Sequence, residues 1–232
     1  MLTKEQPKDF LYLIWKSEKT RRQYIIGQLS KNTHYEFEYG NDVAEAQKDG
    51  FTPLISFPNL EGIYCSNKMF PSFESRLPDP KRKDMDKILE RYGMDSFDSY
   101  LMLKKSGGRL PIDRLYFVDP IHETDEAFSK TFYMAGARHY IGCKGEHCDK
   151  SLEIETGEKV QFELEPDNEK DSKAVKVLNS KGQMLGYVPR YYSDSLFDLI
   201  QKGRSVKCTV INVDKNKSCD ECIKLLLEVD KQ

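Results

Sequence analysis

Two groups of residues in this 232-residue chain carry side chains that could ligate a metal or attack a substrate. His139, Cys143, His147 and Cys148 lie within ten positions of one another, and Cys219 and Cys222 form a CxxC pair. Imidazole with thiolate suits Zn²⁺, so a site drawn from both segments is chemically conceivable. Structural zinc ligands sit on turn-like knuckles, whereas Cys222 leads into an apolar run and Asp220 and Glu221 crowd the pair with negative charge. The expectation is therefore no metal or other cofactor, with these thiols and histidines at the surface. A Cys/His nucleophile fares no better: Gly142 and Gly145 surround the candidates, and no third group is placed to orient the base. Glu153, Glu155, Glu163 and Glu165 could in principle hold magnesium, but acids alternating along a strand are the usual mark of a solvated face. No catalytic residue is assigned, and the expectation is a protein that is not an enzyme.

The charge balance narrows the remaining classes. Lys and Arg number 36 against 38 Asp and Glu, a net charge of -2, which excludes a broad basic coat for nucleic acid. Any nucleic-acid site must be local. No stretch approaches the ~18 apolar residues of a membrane span, and the N-terminal residues lack a signal-peptide pattern, so the expected location is cytoplasmic with no membrane partner. Six Cys without a regular framework suit a reducing compartment.

The elements that must position any site follow from periodicity. Residues 10–15 and 22–26, rich in β-branched and aromatic side chains around a polar turn, predict a β-hairpin. Residues 34–39 alternate aromatic and acidic, as a strand with one wet face does, and Asn41 is placed to cap a short helix through Gln47. Ile88, Leu89 and Tyr92 mark a helix from Met85 ended by Gly93, and Leu101 and Leu103 mark another before Gly107 and Gly108. Residues 119–127, polar and acidic with Pro120 near their start, read as a linker between a domain at 1–118 and a second at 128–232. Beyond it, strand signals recur at 131–135, 159–164, 174–178, 184–188, 206–213 and 223–229. One helix interrupts them, with Ser193 and Ser195 as caps and Leu196, Leu199 and Ile200 on its apolar face. The fold class is α+β: a small α+β domain followed by a mostly-β, barrel-like domain with one helix.

Several ordered blocks carry a family resemblance in the first domain. Phe70, Pro71, Ser72 and Phe73, then Leu77, Pro78 and Asp79, a helix, Arg91, Tyr92 and Gly93, then Ser96, Phe97 and Asp98, and Leu101, Met102 and Leu103 before Gly108, together resemble the N-terminal subdomain of HipA-type toxin kinases over residues 9–118. The kinase body itself has no counterpart: Gly107, Gly108 and Gly136 do not reproduce a Walker spacing, and no His-Arg-Asp catalytic loop occurs. The resemblance implies docking onto, or restraint of, a HipA-like kinase through Phe70, Phe73 and Leu77. On residue type alone, these three also fit the core face of a small helix. The same precedent admits a helix-turn-helix antitoxin as a further partner in a toxin-antitoxin system.

In the second domain the blocks are Gly136 to Tyr140, Leu164 to Asn168, Asp171 to Val177, and Gly186 to Arg190 followed by a helix. Over residues 130–230 these resemble a HIRAN domain, a family associated with DNA repair and remodelling whose barrel can grip the 3′ end of single-stranded DNA. Such a grip needs cations for phosphates, an aromatic face for an unpaired base and a carboxylate for the terminal hydroxyl. By motif position the resemblance implies Arg138 and Arg190 on phosphate, Tyr140 or Tyr187 near the terminal nucleotides, and Asp171 accepting from the 3′-hydroxyl. His139 stands where the DNA-binding members carry Tyr, and Lys170 where they carry an aromatic residue. The expectation is a DNA-binding regulator or adaptor; the alternative is a protein-interaction module that recognises a peptide or the kinase itself.

Overall fold

The computed structural model describes residues 9–141 and 154–231. These divide into two compact units, 1–120 and 121–232.

The first unit runs β1 (Asp9–Lys16), β2 (Gln23–Lys31), β3 (Tyr35–Tyr39), α1 (Val43–Lys48), β4 (Tyr64–Ser66), α2 (Pro71–Glu74), α3 (Met85–Tyr92), α4 (Ser99–Ser106) and β5 (Leu115–Val118). Its strands form one antiparallel sheet in the order β4-β3-β2-β1-β5. The β1–β2 hairpin is the expected one. Asn41, by contrast, does not cap α1: the cap position belongs to Asp42, whose carboxylate instead accepts the amide of Ile25 at 3.0 Å and ties the helix to β2. Asp98 caps α4 by accepting the Leu101 amide at 2.7 Å, and Gly93 and Gly107 end α3 and α4 in the left-handed region.

One face of the sheet is covered by a cluster of rings. Phe57 lies 4.5 Å from Phe37 and 5.1 Å from both Phe70 and Phe73, and Phe73 lies 5.0 Å from Phe117. Each buried ring contributes about 2–3 kcal/mol by leaving water. Arg76 threads beneath this core with its side chain 6% exposed. It donates to Gly108 O at 2.8 Å, to both Asp113 oxygens at 2.6 and 2.7 Å, and to Leu115 O at 2.7 Å. Burial alone would push the Asp113 carboxyl up, but the Arg76 hydrogen bonds, the Leu115 amide and the Arg76 charge outweigh it and hold the group below its ordinary range.

The second unit runs β6 (Phe128–Tyr133), α5 (Ala137–Tyr140), β7 (Lys159–Glu165), β8 (Ala174–Leu178), β9 (Met184–Tyr187), α6 (Arg190–Gln201), β10 (Val206–Val213) and β11 (Ile223–Val229). The strands form a curled sheet in the order β6-β11-β10-β7-β8-β9. Its two ends meet where Ala135 and Tyr187 exchange a pair of backbone hydrogen bonds, both 2.9 Å. Period two explains the strands: in β11, Ile223, Leu225, Leu227 and Val229 are buried, while the residues between them are not. Ser193 and Ser195 are not caps. Pro189 opens α6 with its fixed φ, so both serines fall inside the helix. Residues 121–126 lie along this unit: Ile121 is buried, its carbonyl accepts from Ser195, and the Arg204 guanidinium donates to Thr124 O at 2.8 Å and to Asp230 O at 2.6 Å. The architecture is the expected α+β unit followed by a mostly-β, barrel-like one, and no helix among the described residues is long and apolar enough to cross a membrane.

Candidate nucleic-acid interface

The seam that closes the second unit carries the candidate site. Glu163 pairs with Lys176 across β7 and β8, and Lys176 pairs with Tyr187 across β8 and β9, so their side chains share the face opposite the buried Val175 and Val177. Gly136 follows the seam with φ +70°, a conformation that favours glycine, and opens α5. A Cβ there would meet the Tyr187 and Tyr140 rings only at ordinary van der Waals distance, 3.8 and 3.9 Å, so backbone conformation rather than space calls for glycine. They meet edge to face at 5.8 Å and 70°, and Tyr140 is 44% exposed. Four residues are too few for helical periodicity to show, which is why α5, carrying Arg138, His139 and Tyr140, escapes sequence reading.

Beneath the rings lies a hydrogen-bonded network that the sequence reading missed. Tyr187 donates its hydroxyl to Glu165 Oε2 at 2.9 Å, and Asn168 donates to the same oxygen at 2.6 Å. Lys176 Nζ sits 3.1 Å from the other oxygen. The Asn168 hydrogen bond first, then those from Tyr187 and Lys176, hold the Glu165 carboxyl below its ordinary range. Desolvation, then the Tyr140 and Glu165 hydrogen bonds, push the Tyr187 phenol well above its own, so it stays a neutral donor. Glu165 is therefore no solvated strand acid, although Glu163, paired with Lys176 at 2.9 Å and 55% exposed, is one. The sequence signal for Glu165 was its place directly before Pro166, Asp167 and Asn168, but period two alone could not separate it from Glu163.

Asn168 and Ser193 join the remaining candidates. Asn168 Oδ1 accepts the amides of Lys170 and Asp171 at 3.0 and 3.1 Å, the turn expected of such a side chain. Asp171 accepts the Lys173 amide on one oxygen at 3.0 Å and the Ser193 hydroxyl on the other at 3.0 Å. That hydroxyl is also 3.1 Å from the Arg190 carbonyl, at the start of α6. The structure thus chains Tyr140, Tyr187, Glu165, Asn168, Asp171, Ser193 and Arg190, and the half-buried Asp171 anchors its own loop. Arg138 Nε donates to His139 Nε2 at 3.0 Å, and His139 and Lys170 are exposed.

The partner-docking residues separate. Phe70 and Phe73 are 8% and 2% exposed and belong to the ring core, so they present no surface to a partner. Leu77 instead lines a cavity of about 300 Å³ with Pro71, Pro78, Pro80 and Phe97, rimmed by Glu74 and Asp79. The cysteines divide likewise. Cys208, Cys219 and Cys222 are buried and not surface thiols; burial pushes the Cys208 thiol up to about 12, and Cys222 donates to Cys219 O at 3.4 Å. Cys143, His147, Cys148 and Glu153 lie outside the described residues.

With this geometry in place, the comparisons agree with the two-part reading. Residues 21–111 match the model of the HipA N-terminal domain and residues 129–229 that of the HIRAN domain, in that order along the chain. Two solved structures are similar. One is the HIRAN domain of human HLTF, at 17% identity and a TM-score of 0.35 over 45% of this chain and 75% of that one. The other is a protein from Lactobacillus plantarum, at 21% identity and a TM-score of 0.35 over 44% and 94%. No curated protein matches.

Proposed function

We propose that the second unit binds single-stranded DNA with a free 3′ end at the Tyr140–Tyr187 seam, and that the first docks or restrains a HipA-type kinase. The chain is then a non-enzymatic, antitoxin-like adaptor. The observation that carries the nucleic-acid half is the exposed Tyr140 ring braced by Tyr187, with Arg138 two residues before it on the same short helix. A braced, exposed aromatic face stacks on an unpaired base whatever its identity, and two or three cations suffice to hold the phosphates of a short strand. Arg138, Arg190 and Lys170 take the phosphates, His139 flanks them, Tyr140 stacks, and Asp171 accepts from the terminal hydroxyl with the lone pairs that Ser193 and Lys173 leave. Both family matches support this reading. They supply no support for a helix-turn-helix antitoxin, and the reading does not include one. For the kinase half, the Leu77 cavity is the docking surface, because Phe70 and Phe73 are core.

The test is binding of labelled single strands ending in a free 3′-hydroxyl, a 3′-phosphate or a blocked end, alongside duplex. Preference for the free hydroxyl, lost in Asp171→Asn and weakened by Tyr140→Ala, supports the reading; equal or absent binding overturns it. One observation favours the alternative of a peptide-binding module: Glu163 and Glu165 line the same face and repel phosphate. That alternative, with the peptide held by apolar contacts, predicts affinity less sensitive to salt than phosphate binding would be.

A further inference from the structure

On the first unit, three residues of different chemistry converge on the sheet face opposite the ring core. Glu36 of β3 stands directly across from Cys65 of β4. His34, two residues before Glu36, shares its side of the strand, while Phe37 is buried on the other. One ligand atom from each of His34, Glu36 and Cys65 falls within 4.8 Å of the other two. At ordinary metal bond lengths the donors of a tetrahedral site stand about 3.3–3.8 Å apart, so side-chain rotation alone closes the triangle. His34 Nε2 and Glu36 Oε1 already lie 2.8 Å apart, with 37% and 27% of their side chains exposed, and Cys65 is exposed.

We propose that His34, Glu36 and Cys65 form a three-ligand site for a borderline divalent transition metal of the zinc class, with water in the fourth position. The ligand set selects the ion: thiolate and imidazole disfavour magnesium and calcium, which want oxygen alone. Carboxylate and thiolate together neutralise a 2+ charge, and the thiol proton leaves to solvent as the metal enters. The outer contact is in place as well. Thr33 Oγ1 lies 3.0 Å from His34 Nδ1. Once Nε2 exchanges its present contact with Glu36 for the metal, Nδ1 carries the proton and donates it to this hydroxyl, the usual support for a metal-bound histidine. The bound ion crosslinks the turn before β3 to the three-residue β4, which is the edge of the sheet.

The experiment titrates Co²⁺ and Zn²⁺ into the reduced full-length protein, reading thiolate-to-cobalt charge-transfer absorption and, by mass spectrometry, the alkylation rate of each cysteine. Cys65→Ser should remove one equivalent of the charge-transfer signal, while a variant with Cys143 and Cys148 both changed to Ser retains it. His34→Ala and Thr33→Val should each weaken binding by at least about tenfold. In the unaltered chain, Zn²⁺ should slow Cys65 alkylation at least tenfold and Mg²⁺ should not, a readout independent of whether any variant folds. Unchanged cobalt absorption in Cys65→Ser, or Cys65 alkylation indifferent to Zn²⁺, overturns the proposal.

Discussion

Glu165 shows what a single carboxylate can hold together. It accepts from Tyr187 and Asn168 and pairs with Lys176, and these contacts lower its pKa. A carboxyl depressed in the folded state contributes stability that is fully present above its unfolded value, about 4.3 for glutamate, and lost as pH falls through the folded value. Thermal melts from pH 7 to pH 3 should therefore show the second unit of the unaltered protein losing more stability below about pH 4.3 than that of Glu165→Gln; parallel profiles would show that the network carries no such linkage. Tyr140, Tyr187 and Asp171 were named through the motif blocks that carry the family resemblance, and the structure brings them into one chain of contacts. Glu165 and Asn168 were not, because the contacts that distinguish them from wet acids and loop residues come from another strand. The three aromatic or apolar residues assigned to docking illustrate the converse. Phe70 and Phe73 are as compatible with a core as with an interface, and only the packing of rings around Phe57 decides between them.

At the scale of elements, period-two alternation located β8, β10 and β11 to the residue, since each has one dry face. Helix starts were less legible. Serine side chains signal caps, but Pro189 fixed the start of α6 three residues before Ser193 could. The closing seam of the barrel rests on Gly186, where a Cβ would lie 2.5 Å from the Ala135 carbonyl oxygen. Gly186→Ala should cost the second unit about 1–3 kcal/mol through this overlap. In the first unit, Arg76→Ala leaves the Asp113 carboxylate and the Gly108 and Leu115 carbonyls without their shared donor and should cost about 1–3 kcal/mol. One probe separates them. The single tryptophan, Trp15, packs against Tyr24 and Phe51 in the first unit. Denaturant curves followed by its fluorescence should shift with Arg76→Ala and stay put with Gly186→Ala, while circular dichroism registers both.

For the whole molecule, near-zero net charge leaves electrostatics to local arrangement. If Arg138, Lys170 and Arg190 make three phosphate contacts, the logarithm of the single-strand association constant should fall with that of salt with a slope of about −2. A slope near zero would favour the peptide-binding alternative, and one steeper than about −4 would require cations beyond Arg138, Lys170 and Arg190. The division into an α+β unit and a barrel-like unit was legible from the polar, acidic segment around Pro120 and the run of strand signals beyond it. The extent of the joining segment was harder to read, because polar residues such as Thr124 and Asp125 signal solvent while their carbonyls are held by Arg204.

Tyr187 does two things at once: its backbone closes the barrel against Ala135 and its side chain braces Tyr140. A ligand that stacks on Tyr140 favours the arrangement in which that brace is formed, so occupancy and closure are thermodynamically linked. The two amide protons that cross the seam, those of Ala135 and Tyr187, should then exchange with solvent deuterium more slowly when ligand is bound, whereas amides in the first unit keep their rates. On the proposed stacking, a single-residue latch of this kind would turn a binding event into a change in how often the barrel opens.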